Sequence, residues 1–262
     1  MKTVALTPGD ADFSPGPVRY SFLVVANDGR LVAKPTADVW IARGYKQKPF
    51  QRTTARLEDV GVDGAGESAL GVPSTIYVAH LRAPTPGKYW VLAKPRGAAI
   101  SGLGNVVVRA RSYSPAVGAK APVSHTPTLA TTHGALGPLT TSANPDRRLY
   151  TTSVAQALDA QVPFVVVFAT PKFCTSRTCG PVVDVVSHVR KQLSRTPVRF
   201  IHVEVYEHND PARPYNRWMR EWRLQSEPWV FLVGRSGRIA AKFEGPVSVR
   251  ELRAAVEATL LD

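Results

Sequence analysis

The chain has 262 residues, 44% of them hydrophobic and 20% charged, with a formal net charge of +13 and two cysteines. That length accommodates two ordinary domains, each with its own core, and so few cysteines exclude a disulfide scaffold. No apolar run approaches the ~18–20 residues that a bilayer span needs, and the positive charge is spread over both halves without a basic run interleaved with aromatics. No nucleic-acid partner is therefore expected; the charge fits a solvated surface or attraction to an anionic membrane or cell-wall polymer.

Residues 1–115 are expected to form an all-β domain. Met1 to Asp12 carries no apolar signal region. Val18 to Val25 reads as a strand, and Asn27-Asp28-Gly29-Arg30 supplies a tight turn after it. Further strands are expected over Ala37 to Arg43, Phe50 to Leu57, Thr75 to Leu81, Lys88 to Ala93 and Asn105 to Arg111, separated by breaks such as Ala83-Pro84-Thr85-Pro86-Gly87. About seven short strands without a helix predict an immunoglobulin-like sandwich. Trp40, Tyr89 and Trp90 fit a core better than a carbohydrate platform, and His80 has no second metal ligand at a useful spacing. Gly61 to Gly71, rich in glycine, reads as a surface loop and not a phosphate cradle.

Residues 116–147 are rich in proline, threonine, serine and alanine without apolar periodicity, a linker expected to lie along the surface of the next domain. His125 and His133 fall in it as isolated, solvent-facing residues. From residue 148 the pattern changes. Thr152 or Ser153 can cap a short helix. Pro163 to Ala169 is apolar throughout, the mark of a strand covered on both faces. Thr170-Pro171-Lys172-Phe173 breaks it, and Cys174 and Cys179 follow. Val182, Val185, Val186, Val189 and Leu193 then recur at helical spacing.

Pro181 fixes where that helix begins, because proline is favoured in a first turn where its missing N–H would be unpaired anyway. Cys179 then stands at the helix N-terminus and Cys174 in the loop before it. Two cysteines five apart within one helix would sit about 8.6 Å apart, too far for a bridge, whereas the loop position permits one. The helix dipole, with Arg177 and Lys172 nearby, favours a thiolate at Cys179. Val198 to Tyr206 reads as a strand, Pro214 to Leu224 as a short helix, Trp229 to Val233 and Arg238 to Phe243 as a hairpin, and Val249 to Leu260 as a closing helix.

The segment Cys179-Gly180-Pro181 after a buried strand resembles the thioredoxin-fold superfamily, whose motif Cys-Gly-Pro-Cys it matches in three positions, with Val182 in place of the second cysteine. The spacing of Cys174 and Cys179 resembles that of Q-type peroxiredoxins. Pro86-Gly87-Lys88-Tyr89-Trp90 and Val117-Gly118-Ala119-Lys120-Ala121-Pro122 resemble segments of extracytoplasmic bacterial proteins. The resemblance implies a thioredoxin-like α/β domain over 148–262, with Pro228 as a cis-proline whose neighbour Glu227 turns its backbone toward the cysteines.

The implied activity is thiol–disulfide exchange by a cell-envelope protein, with Cys174 and Cys179 as the catalytic pair and Glu227, Pro228, Arg177 and Pro181 contacting a protein or small-molecule disulfide or thiol substrate. Glu227 or Glu204 can shuttle protons. Three other readings stand beside it: a binding module with a structural disulfide, peroxide reduction with Cys174 peroxidatic and Cys179 resolving, and copper handling with His202 or His208 as third ligand. No cofactor and no resident metal are expected. A persistent disulfide points to an extracytoplasmic chain, secreted or membrane-anchored, whose signal segment is absent from this sequence, with the β-domain available to an envelope partner.

Overall fold

A computed structural model describes residues 2–63 and 75–261. Residues 64–71 of the glycine-rich loop expected at 61–71 lie outside the described residues. Of those described, the residues up to Asp59 and from Thr75 to Ser112 form one compact unit; Val60 to Asp63 and the residues from Tyr113 onward form another.

The first unit is a closed seven-stranded barrel. Its strands are β1 (Lys2–Pro8), β2 (Gly16–Val24), β3 (Thr36–Ala42), β4 (Gln51–Asp59), β5 (Thr75–Ala83), β6 (Gly87–Pro95) and β7 (Ile100–Val108), in the order β1-β2-β5-β4-β3-β6-β7. Alternation of side chains drives this arrangement: Val18, Tyr20, Phe22 and Val24 of β2 point into the core with Val39, Ile41, Tyr77, Tyr89 and Val91. Tyr20, Phe22 and Tyr77 stack there with ring centroids 5.3 Å apart at each step. Trp40 and Trp90, which the sequence suggested for the core, are only partly buried, while Tyr89 between them is fully inside.

The expected immunoglobulin-like sandwich is thus corrected. β1 pairs antiparallel with β2 and parallel with β7, Val4 standing opposite Gly102, so one sheet closes on itself and no open edge remains in it. Leu6 fills the space above Gly102 and Gly104, and a β-carbon at Gly102 would collide with its side chain. Glycine at these two places is what lets β1 settle onto β7.

The second unit carries a four-stranded sheet of β8 (Phe164–Phe168), β9 (Arg199–Val203), β10 (Trp229–Val233) and β11 (Ile239–Glu244), in the order β11-β10-β8-β9. β8 runs parallel to β9 and antiparallel to β10. All five residues of β8 and of β10 are buried, which accounts for their unbroken apolar character. The helices are α1 (Val154–Asp159), α2 (Cys179–Gln192), α3 (Arg217–Glu221) and α4 (Val249–Leu260). Ser153 with Gln156 and Ser248 with Glu251 form reciprocal capping boxes that start α1 and α4.

Val182, Val186 and Val189 of α2 pack with Leu252 and Val256 of α4 against Val165, Val167, Val230 and Leu232. Phe164, Phe168, Phe231, Trp222 and Trp229 form a second, aromatic cluster. The segment from Tyr113 to the short 3-10 turn Arg147–Tyr150 buries Ala121, Ser124, Thr126, Thr128 and Leu139. The expectation of a thioredoxin-like α/β domain is corrected with the sandwich. Among the described residues strand exceeds helix, α1 and α3 are six and five residues long, and the architecture is a closed barrel and a small sheet with few helices. No helix among the described residues is long and apolar enough to cross a membrane.

Candidate functional site

Three adjacent strand ends build the site. The register that sets Trp229 opposite Phe168 carries Glu227 opposite Thr170, and the register that sets Phe168 beside Val203 brings Glu204 next to them. The Thr170 N–H donates to Glu227 Oε2 at 2.6 Å. Thr141 closes the row from above: its N–H and hydroxyl donate to Glu204 Oε1 at 2.5 and 2.9 Å, and its Oγ1 accepts from the Lys172 N–H at 3.2 Å. The second carboxylate oxygen of Glu204 is buried without a partner.

Into this row projects the start of α2. Cys179 is its first residue, and Thr178 before it makes no side-chain cap bond, its hydroxyl pairing instead with Ser176 Oγ at 2.8 Å. Thr178 thus leaves the start of α2, where Cys179 stands, without its capping oxygen. The loop returns through Arg177, whose φ of 58° is left-handed, and the Arg177 N–H donates to the Cys174 carbonyl at 3.2 Å. This fold-back brings the two Cα atoms to 5.9 Å, and Cys174 and Cys179 are joined in a disulfide. Cys179 is fully buried, whereas Cys174 keeps 9% of its surface.

Glu227 Oε2 lies 3.4 Å from Cys179 Sγ. Burial pushes the Glu227 carboxyl up to about 8; the Thr170 N–H pulls it back down and the neighbouring Glu204 charge adds to the rise. Cys174, Cys179 and Glu227 together offer three donor atoms within 4.8 Å of one another. His202 lies close by in the sheet, but its Nε2 faces the Ala169 carbonyl at 2.9 Å and its Nδ1 the Tyr150 hydroxyl at 2.7 Å. The carbonyl can only accept, so Nε2 carries the proton and Nδ1 accepts from the tyrosine.

No family model, no curated protein and no solved structure matches this chain. The thioredoxin-like resemblance of Cys179-Gly180-Pro181 therefore has no support from relatives, and the topology described above corrects it. What remains is the local chemistry of the site.

Of the residues singled out from sequence, Cys174, Cys179 and Glu227 come together. Pro228 follows Glu227 through a cis peptide bond and leads into β10. Pro181 is buried in the first turn of α2, and Arg177 is exposed on the loop. His208 is exposed. Thr141 and Thr170 are not singled out by any sequence motif. A fully buried threonine directly at the exit of a buried strand, as Thr170 is, is the signal that marks such a position.

Proposed function

We propose that this protein carries out thiol–disulfide exchange at the Cys174–Cys179 pair. The observation that carries the reading is the placement of the disulfide. Cys174 comes from a loop and is 9% exposed as a residue, and Cys179 is fully buried at an uncapped helix N-terminus against a carboxyl group. A disulfide serving only to brace the loop has no need of a half-buried acid beside it.

In the reductive direction an incoming thiolate attacks Cys174 Sγ, the sulfur carried by the loop. A mixed disulfide forms at Cys174, and Cys179 leaves as a thiolate that the helix N-terminus stabilises. Glu227, protonated, gives its proton to Cys179 Sγ. A second substrate thiolate then attacks the substrate sulfur of the mixed disulfide, expelling the Cys174 thiolate. The two protons that the substrate thiols gave up to solvent return to Cys174 and to Glu227, so that two thiols become one disulfide and the protein gains two electrons and two protons. Run backwards, Cys174 attacks a substrate disulfide, Glu227 takes the Cys179 proton, and Cys179 resolves the intermediate. Cys174 is thus the entry sulfur and Cys179 the resolving one. The substrate class is a small-molecule or peptide disulfide able to approach a surface loop. An oxidising, extracytoplasmic compartment suits a bridge that must persist between turnovers.

The test is a glutathione exchange assay with mass detection of the mixed disulfide. Cys179→Ser should trap glutathione on Cys174. Glutathione trapped on Cys179 in Cys174→Ser with equal speed would overturn the assigned order.

A further inference from the structure

We propose that the reduced form of this site holds a thiophilic divalent cation, Zn2+ being the representative probe, between Cys174 Sγ, Cys179 Sγ and a carboxylate oxygen of Glu227. The inference rests on the exchange reading in one respect: only the dithiol presents two sulfur ligands.

The donor set is the first argument. Three donor atoms drawn from a loop, a helix start and a strand entry lie within 4.8 Å of one another. Zn2+ takes four ligands from thiolate, imidazole and carboxylate groups, with sulfur at about 2.3 Å, so two sulfurs on one ion stand about 3.8 Å apart. Cys174 lies on the loop and Cys179 on α2, so a rotation of the loop cysteine supplies that separation once the bond is reduced. Three protein ligands leave a fourth position for water. Carboxylate oxygen beside two thiolates suits Zn2+ or Cd2+ better than Cu(I). His202, with both ring nitrogens engaged, is not part of the set.

Charge is the second argument. Glu227 and Glu204 receive backbone or hydroxyl hydrogen bonds from Thr170 and Thr141, and among the described residues neither forms an ion pair with a basic side chain. One oxygen of Glu204 is buried and unpartnered beside them. Reduction followed by loss of the two thiol protons places two further negative charges in this partly enclosed row. A divalent cation offsets them, the binding step being dithiol and Glu227 carboxyl plus M2+ giving the metal bis-thiolate carboxylate, with two thiol protons released to solvent and a third wherever Glu227 starts protonated.

The experiment adds Cd2+ to the reduced protein and reads the sulfur-to-cadmium charge-transfer absorbance in the ultraviolet, with Zn2+ affinity taken from competition against a chromophoric chelator. The expected result is one ion per reduced chain, none on the oxidised chain, and at least tenfold weaker binding in both Glu227→Gln and Cys174→Ser. Zn2+ at one hundred times its Kd should also raise the midpoint potential of the couple by about 59 mV, at 29.6 mV per tenfold stabilisation of the dithiol. Absence of the charge-transfer band, or a Glu227→Gln affinity equal to wild type, would overturn the site. Titration of the couple in a chelator reports the exchange reading separately, so failure of one does not pass for failure of the other.

Discussion

Cys179 Sγ and Glu227 Oε2 face each other at 3.4 Å, one from the first residue of a helix and the other from the residue before a cis-proline. A carboxyl in that position acts as base when ionised and as acid when protonated. Burial pushes this carboxyl up to about 8, so it changes from acid to base near that pH. With dithiol enzyme reducing a disulfide substrate, the wild-type rate should rise as pH passes through about 8. Glu227→Gln should lack that component and run about 10–100-fold slower above it, the range for loss of a positioned base. A Gln variant that tracks wild type from pH 6 to 10 would remove Glu227 from the reaction.

The same group bears on stability. Its folded pKa lies above the ~4.3 of an unfolded glutamate, so the folded state binds the proton more tightly. That contribution is fully present below about pH 4.3 and is lost as pH rises through about 8. Glu227→Gln should therefore show a higher urea midpoint than wild type at pH 9 and little gain at pH 4. Equal midpoints at both pH values would contradict the burial argument.

Asp146 titrates in the opposite sense. Burial pushes its carboxyl up, but Ser187 Oγ at 2.7 Å, Arg190 Nε at 2.6 Å and the Arg148 N–H at 3.1 Å outweigh this and hold it below the usual carboxylate range. Its contribution is present above the ~3.9 of an unfolded aspartate and disappears as pH falls through the lower folded value. Asp146→Asn should cost roughly 1–3 kcal/mol at pH 7 and progressively less below pH 4, read from denaturant unfolding. A constant difference across that range would argue against the ion pair.

At the barrel seam Leu6 occupies the space a side chain at position 102 would need. Gly102→Val should cost roughly 1–3 kcal/mol through overpacking, and Leu6→Ala in the same chain should recover part of it, giving a coupling energy in a double-mutant cycle. Strictly additive effects would mean that the two positions do not meet.

Strands β2 to β6 were legible, the strand expected at Asn105 to Arg111 begins earlier as β7 at Ile100, and the unbroken apolar run of Pro163 to Ala169 announced that β8 is covered on both faces. β1 escaped because only Val4 and Leu6 of Lys2–Pro8 are buried. With it went the closure that separates a barrel from a sandwich. The turn at Asn27 to Arg30 is formed, with Gly29 at φ 84°. Yet β2 pairs with β1 and β5 and not with the next strand, since pairing order is a long-range matter that local turn residues do not encode. At the site, Pro181 correctly located the helix start. The thioredoxin-like reading drawn from the adjoining Cys179-Gly180-Pro181 was corrected by the architecture, because a three-residue match records a local turn and not a whole fold. Thr141 was hidden in a segment whose polar composition reads as linker, although Ser124, Thr126, Thr128 and Thr140 within it are buried. Small hydroxyls can be buried once they are hydrogen-bonded, and composition does not reveal that bonding.

Equilibration of the chain against graded thiol and disulfide buffers, with the Cys174–Cys179 couple read by mass after alkylation, tests the central claim most directly. A midpoint potential above about −300 mV, with exchange abolished in Cys174→Ser, is the predicted result. A bridge that stays closed below that potential and exchanges no faster in native protein than a buried structural disulfide would contradict it.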